Sequence, residues 1–396
     1  MSHARYLLVL LSAMFIALVA GSGEALAVDR TFAGSAQLDY HFVPTMKNAD
    51  SNVVPTGQGS YTFDSFTIET ALKVAVDVSD HISANVKVCF GCHGFETDMA
   101  YFDFRAADEL NLRAGRFSPS FGSFNLRHDP ANHKLSDKPL AYDMGRMLRR
   151  VDWKMGVLPS PFPDNGIELN GTHWFGDNFQ LDYAAYGVSG FKAAKDAPEL
   201  DWITSRSGNA YYVDNNGRPT VGGRVALTSK LSSVSDLTVG GSAMYGTYDA
   251  GNDVWYEILG GDVTLRIVRT AIRAEYLVRR QSFDTTAQAK FRYLIPAGSQ
   301  YDYFSKHGAY LEIEQPLTPK FDVIARGDVL FRFGNVQNGT PLSQKSSITR
   351  GTLGVAYAVE QNLRFKASGE FWAFSDEDSR GHDKELTFHL SAVATF

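Results

Sequence analysis

The chain has 396 residues, a net charge of −6, 13% aromatic residues and two cysteines. This charge gives no reason to expect nucleic acid as a partner, and two cysteines are too few for a disulfide scaffold. Beyond the first 27 residues, no stretch approaches the run of about 20 apolar residues that a membrane helix needs, which argues against a helical membrane protein.

The N-terminal segment has the pattern of an export signal. A short basic stretch, residues 1–5, is followed by an apolar run from Tyr6 to about Ala20 and by the small-x-small sequence Ala25-Leu26-Ala27. This pattern is typical of a cleaved signal peptide, whereas an uncleaved membrane anchor would need a longer run. We predict that residues 1–27 are a signal peptide and that residues 28–396 form the exported protein.

Much of the exported chain alternates between apolar and polar residues. In residues 320–333, charged side chains occupy one face and apolar side chains the other, with Ile324 and Leu330 as the exceptions. Residues 270–279 and 362–372 repeat the pattern. Because successive side chains of a β-strand point to opposite faces, each segment predicts a strand with one apolar and one charged face.

Sixteen such strands are predicted, and their connections are asymmetric. Short polar turns at residues 79–81, 176–178, 318–319 and 360–362 join the strands at one end, and long loops join them at the other. This asymmetry is typical of outer-membrane barrels, and the alternation up to Phe396 resembles their C-terminal signature. We therefore predict an all-β fold, a 16-stranded antiparallel transmembrane β-barrel in the lipid of a bacterial outer membrane. The strands are expected at about residues 31–42, 61–79, 82–90, 97–106, 110–118, 166–174, 178–189, 220–229, 236–247, 254–267, 270–283, 303–315, 320–333, 346–358, 362–374 and 384–396.

A long connection, about residues 119–165, separates the fifth and sixth predicted strands. Guanidinium and ammonium groups there predict a basic constriction that favours anions. Alternatively, its histidine and methionine residues are metal ligands. The residues in question are Arg127, His128, His133, Lys134, Lys138, Met144, Arg146, Met147, Arg149 and Arg150.

The sequence that leads into this connection, RAGRFSPSFGSFNLRHDP, resembles the phosphate-selective porins of the O and P type. Those porins carry a Gly-(Arg/Gln)-Phe-x-x-Pro-Phe-Gly-like segment at this point, and Ser118-Pro119-Ser120-Phe121 departs from its Pro-Phe order. The resemblance implies that the connection is the third external loop and that it folds into the lumen and narrows it.

Both cysteines lie in the sequence Cys89-Phe90-Gly91-Cys92-His93. In this C-x-x-C-H pattern, two thiols meet the two vinyl groups of a haem and the histidine binds the iron axially. A strained disulfide clip and free thiols in a loop are the alternatives. The motif predicts one covalent haem c near the outer mouth or the upper lumen.

The long connection offers partners for such a haem. Imidazole and thioether groups both suit a haem iron as the second axial ligand, and arginines would neutralise the haem propionates. The candidate ligands, in order of preference, are His133, Met144 and Met147, and His128, with Met99 as an outside candidate. The candidate propionate partners are Arg127, Arg146, Arg149 and Arg150.

A barrel with one C-x-x-C-H motif resembles the fused outer-membrane cytochrome–porins of iron-oxidising bacteria. Their motif lies at the start of the mature chain, whereas here it lies between the third and fourth predicted strands. The resemblance implies a monohaem cytochrome–porin that passes electrons between an external donor or acceptor and a periplasmic carrier. The alternative is a haem-free diffusion porin with a basic, anion-favouring constriction. Either reading favours an electron-transfer protein or a channel over an enzyme, although an open sixth iron position would indicate a haem-based sensor or peroxidase.

Overall fold

A computed structural model describes residues 29–47, 60–91, 94–143, 156–194, 197–201, 205, 213–282, 303–334, 345–375 and 384–396. Within these residues, sixteen antiparallel strands form a closed barrel. The first and last strands pair with each other, and backbone hydrogen bonds of 3.0 and 3.1 Å join Gly34 to Phe396 at the end of this seam. The predicted 16-stranded antiparallel barrel is confirmed.

The strands follow the predicted order and have short connections at one end of the barrel. They are β1 (Arg30–Lys47), β2 (Ser60–Ser79), β3 (Ile82–Gly91), β4 (Gly94–Ala107), β5 (Leu110–Phe117), β6 (Asp164–Phe175), β7 (Phe179–Val188), β8 (Lys192–Ala194), β9 (Ala197–Asp201), β10 (Thr220–Ser232), β11 (Ser235–Thr247), β12 (Trp255–Ile267), β13 (Thr270–Ser282), β14 (Tyr303–Pro316), β15 (Phe321–Gly334), β16 (Lys345–Glu360), β17 (Leu363–Ser375) and β18 (Lys384–Thr395). The sequence did not predict β8 and β9, which form a separate two-stranded sheet.

The side-chain alternation separates an apolar exterior from a polar lumen. On β15 and β16, for example, Ala325 and Leu353 face outward and are exposed, whereas Arg326 and Arg350 face inward and are buried. In a barrel, every backbone group can be hydrogen-bonded within the bilayer, and the apolar band meets lipid. This fold and exterior place the protein in the bacterial outer membrane. Among the described residues, no helix is long and apolar enough to cross a membrane.

The two exceptions to the alternation in β15 have a structural cause. Ile324 and Leu330 both face inward and are almost completely buried. Ile324 packs with Leu135, and Leu330 belongs to a larger apolar cluster that includes Leu140. Leu135 and Leu140 come from the connection between β5 and β6, so these apolar positions mark where that connection lies against the inner wall.

Candidate functional site

The connection between β5 and β6, residues 118–163, occupies the interior of the barrel. We call it the lumen loop, and the structure describes its residues 118–143 and 156–163. Short 3₁₀ turns lie at Asn125–Arg127 and Leu140–Tyr142. The loop begins against β6, where Ser120 donates from its backbone N to Glu168 at 2.8 Å, and then reaches β11, where the Gly122 N–H donates to Ser242 Oγ at 3.0 Å.

Residues 123–129, which we call the crossing segment, connect opposite sides of the barrel. At one end, Ser123 and Phe124 are hydrogen-bonded to Glu275 of β13. At the other end, Asp129 forms an ion pair with Lys87 of β3. These two strands are eight positions apart around the ring in either direction. The lumen loop therefore spans the lumen instead of following one wall.

Glu275 is the anchor at the β13 end. Its buried carboxylate accepts hydrogen bonds from the backbone N–H groups of Ser123 (2.9 Å) and Phe124 (3.2 Å) and from the phenols of Tyr310 (3.1 Å) and Tyr142. Such charge-assisted hydrogen bonds are stronger than those between neutral groups. The carboxylate therefore satisfies two backbone donors that would otherwise be buried without a partner.

Gly122 allows the chain to approach this anchor. Its φ of +62° is a left-handed conformation that side chains disfavour, and a Cβ atom there would lie 2.2 Å from Glu275 Oε1 and 2.1 Å from the Tyr142 hydroxyl. Only glycine fits this position without moving the carboxylate.

A second anchor holds the middle of the lumen loop against β15 and β16. Asp137 is fully buried between Arg326, whose Nη2 lies 2.6 Å from Oδ1, and Arg350. Both arginines also contact Asp328 at 3.0 Å, and Asp328 accepts the Leu140 N–H at 2.9 Å. A buried charge is stable only when it is paired and hydrogen-bonded, so this cluster of two arginines and two aspartates fixes the loop on the wall.

Apolar packing reinforces these polar anchors. Aromatic side chains of the lumen loop pack against apolar side chains that face inward from the wall, which gives the lumen a hydrophobic core. Phe162, for example, stacks on Phe191 with ring centroids 4.7 Å apart. Each such buried side chain contributes on the order of 1.5–3 kcal/mol. The cluster includes Phe117, Phe121, Phe124, Leu140, Tyr142, Val157, Leu158, Tyr186, Val188, Met244, Tyr256, Ile258, Leu277, Tyr310, Ile348 and Trp372.

The charged side chains in the described part of the loop balance each other. Three are cationic and three anionic: Arg127, Lys134 and Lys138, and Asp129, Asp137 and Asp143. Arg127 lies 3.7 Å from Glu312, and Lys134 lies 2.7 Å from Glu314 and 2.8 Å from Asp322. Lys138 donates to the Ser160 carbonyl at 2.7 Å. The excess of basic residues that the sequence shows for the whole loop therefore comes from residues 144–155.

The two loop histidines are buried. The Nδ1 of His128 is 2.7 Å from the Asn125 carbonyl, and the Nδ1 of His133 is 2.9 Å from the Leu135 carbonyl. Burial lowers the pKa of His128 below its ordinary value and that of His133 well below it, so both imidazoles are neutral at pH 7. Neither adds positive charge to the lumen.

The haem motif is only partly described. Cys89 is half-buried on β3, on the face that turns Lys87 toward the lumen, and it pairs with Glu96 across the ladder. Gly91 pairs with Gly94. Cys92 and His93 lie outside the described residues, as do Met144, Arg146, Met147, Arg149 and Arg150.

The described candidate ligands lie in different surroundings. His128 is connected to β3, because its Nε2 is 3.3 Å from Asp129, which pairs with Lys87. His133 instead packs on Phe124, with ring centroids 5.7 Å apart. Met99 is the ladder partner of Lys87.

The candidate propionate partner Arg127 contacts Glu312 and the Tyr310 hydroxyl. Among the residues that the structure describes, no group of three or more His, Cys, Asp or Glu side chains is arranged to hold a metal ion.

Comparison with solved structures shows the porin fold. The chain is similar to the outer-membrane channel DcaP of Acinetobacter baumannii (TM-score 0.57, 10% identity, covering 94% of this chain and 99% of that one). It is also similar to the anion-selective porin of Comamonas acidovorans (TM-score 0.56, 11% identity, 93% and 100%) and to a loop-deletion variant of OmpT of Vibrio cholerae (TM-score 0.55, 12% identity, 93% and 100%). The fold is that of a porin.

Sequence comparison adds little to this result. No family model matches the chain. An uncharacterized protein of Aquifex aeolicus is 26% identical over 147 residues, which is 37% of this chain and 28% of the length of that protein. The match therefore leaves most of the Aquifex protein uncovered.

Proposed function

We propose that this protein is an outer-membrane diffusion porin whose pore is narrowed by the lumen loop. The observation that carries the proposal is the crossing segment, which is anchored at Glu275 on one side of the barrel and at Lys87 on the other. A 16-stranded barrel has room for an aqueous channel, and the segment across it limits the size of solutes that pass.

The sequence of the loop supports a preference for anions. Residues 144–155 contain four cationic side chains and one anionic side chain, whereas the described loop residues are balanced. Basic rings in a pore favour anions. The anion-selective porin of Comamonas acidovorans shows that a barrel of similar fold can have this selectivity.

Reconstitution into planar bilayers tests the proposal. We expect discrete conductance steps and, under a KCl gradient, a reversal potential that indicates chloride over potassium. Combined replacement of Arg146, Arg149 and Arg150 by Ala should shift the reversal potential toward cation preference, because it removes three of the four cations of residues 144–155. The matched control is Arg266→Ala, which removes an exposed arginine paired with Asp236 at 3.0 Å and should leave the reversal potential unchanged. A folded protein with no steps would contradict the channel function.

The C-x-x-C-H motif favours a second candidate, a monohaem cytochrome–porin. Cys89 faces the lumen, as one thioether attachment to a haem in the barrel requires, and His128 is linked to the same strand through Asp129 and Lys87. A bound haem would supply one-electron transfer. Cys89, Cys92 and His93 would hold it, and a periplasmic carrier and an external donor or acceptor would be its redox partners.

A visible spectrum tests the haem proposal. Protein from a host that matures c-type cytochromes should show a Soret band that survives denaturation and acid–acetone extraction. Replacing Cys89 and Cys92 by Ala should abolish this band and leave a heat-modifiable barrel, because strand pairing uses the backbone and not the thiols. Absence of the band in such a host would reject the cytochrome and leave the porin.

A further inference from the structure

The lipid-facing wall of the barrel has a groove that runs across β14 to β18. Its volume is about 550 Å³. The floor of the groove lies at Gly327 of β15 and Gly351 of β16, which face outward and are ladder partners. A Cβ atom at either glycine would meet no other atom within 4 Å. The outer surface of the sheet is therefore recessed at these two positions.

Bulky apolar side chains form the sides of the groove. Leu311 lies beside Gly327 on one side, and Phe371 lies beside Gly351 on the other. Leu386 continues this row on β18, and the three bulky side chains are about half exposed. The polar residues of the lining turn their side chains into the lumen, where they are buried: Arg326, Thr352 and Glu370. The surface that the groove presents to lipid is therefore apolar.

A lysine lies at the external end of the groove. Lys384 precedes Leu386 by two residues on β18 and faces the same way, about 7 Å away along the strand. It is exposed, and its ladder partner on β17 is Ala373. Residues 376–383 join β17 to β18 at this end, whereas a short turn at residues 361–362 joins β16 to β17 at the other. Short turns are periplasmic in such barrels, so Lys384 belongs to the external half of the membrane.

These features fit a molecule that is apolar along its length and negatively charged at one end. In a bilayer, association depends on close packing, because lipid tails are as apolar as the protein surface. A recessed surface loses dispersion contacts, which an acyl chain lying in the groove restores. A lysine near the membrane surface attracts an anionic headgroup, and its long stem lets the ammonium group reach the headgroup region.

We propose that the groove holds an acyl chain of one anionic, phosphate-bearing lipid of the external leaflet and that Lys384 pairs with the phosphate of this lipid. The apolar sides and the glycine floor would select for a chain that fits the recess, and the lysine would select for the charge. This proposal is independent of whether the pore conducts or the chain carries haem.

Native mass spectrometry of the barrel in detergent tests the site, with dioleoylphosphatidylglycerol and dioleoylphosphatidylcholine as probes. The two lipids have the same chains, and only phosphatidylglycerol has a net negative charge. We expect the parent protein to retain one molecule of phosphatidylglycerol more tightly than phosphatidylcholine. Lys384→Gln should weaken phosphatidylglycerol binding about fivefold and leave phosphatidylcholine binding unchanged. Gly351→Leu should weaken the binding of both lipids about tenfold, because the leucine side chain fills the groove.

Two matched controls should leave both affinities unchanged. Gly241→Leu adds the same side chain at an outward-facing glycine of β11, where a Cβ atom also meets no other atom within 4 Å. Lys320→Gln removes an exposed lysine at the periplasmic end of the barrel. If Gly351→Leu does not give a heat-modifiable barrel, Gly327→Leu, at the neighbouring floor position, takes its place with the same expected result.

Equal affinity of the parent for the two lipids would overturn the proposal, as would unchanged affinities in Lys384→Gln or Gly351→Leu. The same spectra also report the number of chains in each particle. A Gly351→Leu variant that keeps its lipid and changes this number would show that the groove is an interface between copies of the chain, which also contradicts the lipid site.

Discussion

Glu275→Ala is expected to raise the single-channel conductance several-fold, because it releases the crossing segment from β13. The variant removes the acceptor of four hydrogen bonds, including the two from the backbone of Ser123 and Phe124. Hydrogen bonds to a charged group contribute about 1.5–3 kcal/mol each, and a buried donor left without a partner costs a similar amount. The backbone of Ser123 and Phe124 then has no hydrogen bond to β13, and the crossing segment loses this attachment.

Planar-bilayer recording combined with limited proteolysis measures this effect. Trypsin should cut the variant after Arg127 or Lys134, which are protected in the parent protein by their place in the lumen. Glu257→Ala is the matched control, because Glu257 faces outward from β12 and pairs with Arg280 at 2.8 Å. If the folded Glu275→Ala barrel keeps the parent conductance and resists trypsin, Glu275 does not anchor the loop.

Arg350→Ala is expected to lower the free energy of unfolding by about 3–5 kcal/mol. Arg350 is fully buried, and its removal leaves Asp137, Asp328 and Glu370 with less compensating positive charge. Breaking a buried ion pair by removing one partner carries a cost of this size, because a charge stays buried without compensation. The loss also includes the contact of the guanidinium with the Trp372 ring, 4.8 Å from its centroid.

Unfolding in urea from detergent micelles, followed by tryptophan fluorescence, measures the change in the free energy of unfolding. Arg266→Ala is the matched control, because its pair with Asp236 is exposed and such pairs contribute about 0–1 kcal/mol. The double variant Asp137→Ala, Arg350→Ala should lose less than the sum of the two single variants, since it leaves fewer unpaired charges. Additive losses would show that the two side chains do not stabilise each other.

The barrel could be predicted from sequence because its signal is local. Alternation with a period of two, short turns at one end and an apolar final strand each depend on neighbouring residues, so sixteen strands and their order followed. The same alternation placed Glu275, Arg326 and Asp328 on the charged face, which is the lumen face. Ile324 and Leu330 are the two exceptions to the alternation. They were the one sequence signal that apolar side chains pack inside the barrel.

The anchors of the lumen loop could not be predicted, because their partners are far away in the sequence. Asp137 and Arg350 are separated by 213 residues, and Pro130 and Lys366 by 236.

The number of basic residues in the loop also does not give the positive charge that the loop presents to the pore. Its described lysines and Arg127 contact carboxylates or carbonyl groups, and its histidines are buried and neutral. Counting charges along a sequence does not show which of them are neutralised by the opposite wall.

The crossing segment also has a consequence for the order of events during biogenesis. The ribosome makes the lumen loop before β13, β15, β16 and β17, the strands that hold it. The barrel must therefore form around a loop whose binding strands are synthesised after the loop itself. The seam between β1 and β18 can close only after the final strand is present. Contacts between such distant parts of a chain form slowly, because the entropy of closing a long loop is lost before the contacts form. The attachment points of the loop are therefore complete once β17 is present, one strand before the cylinder can close, and a chain without β18 would lose the closure and keep those attachment points.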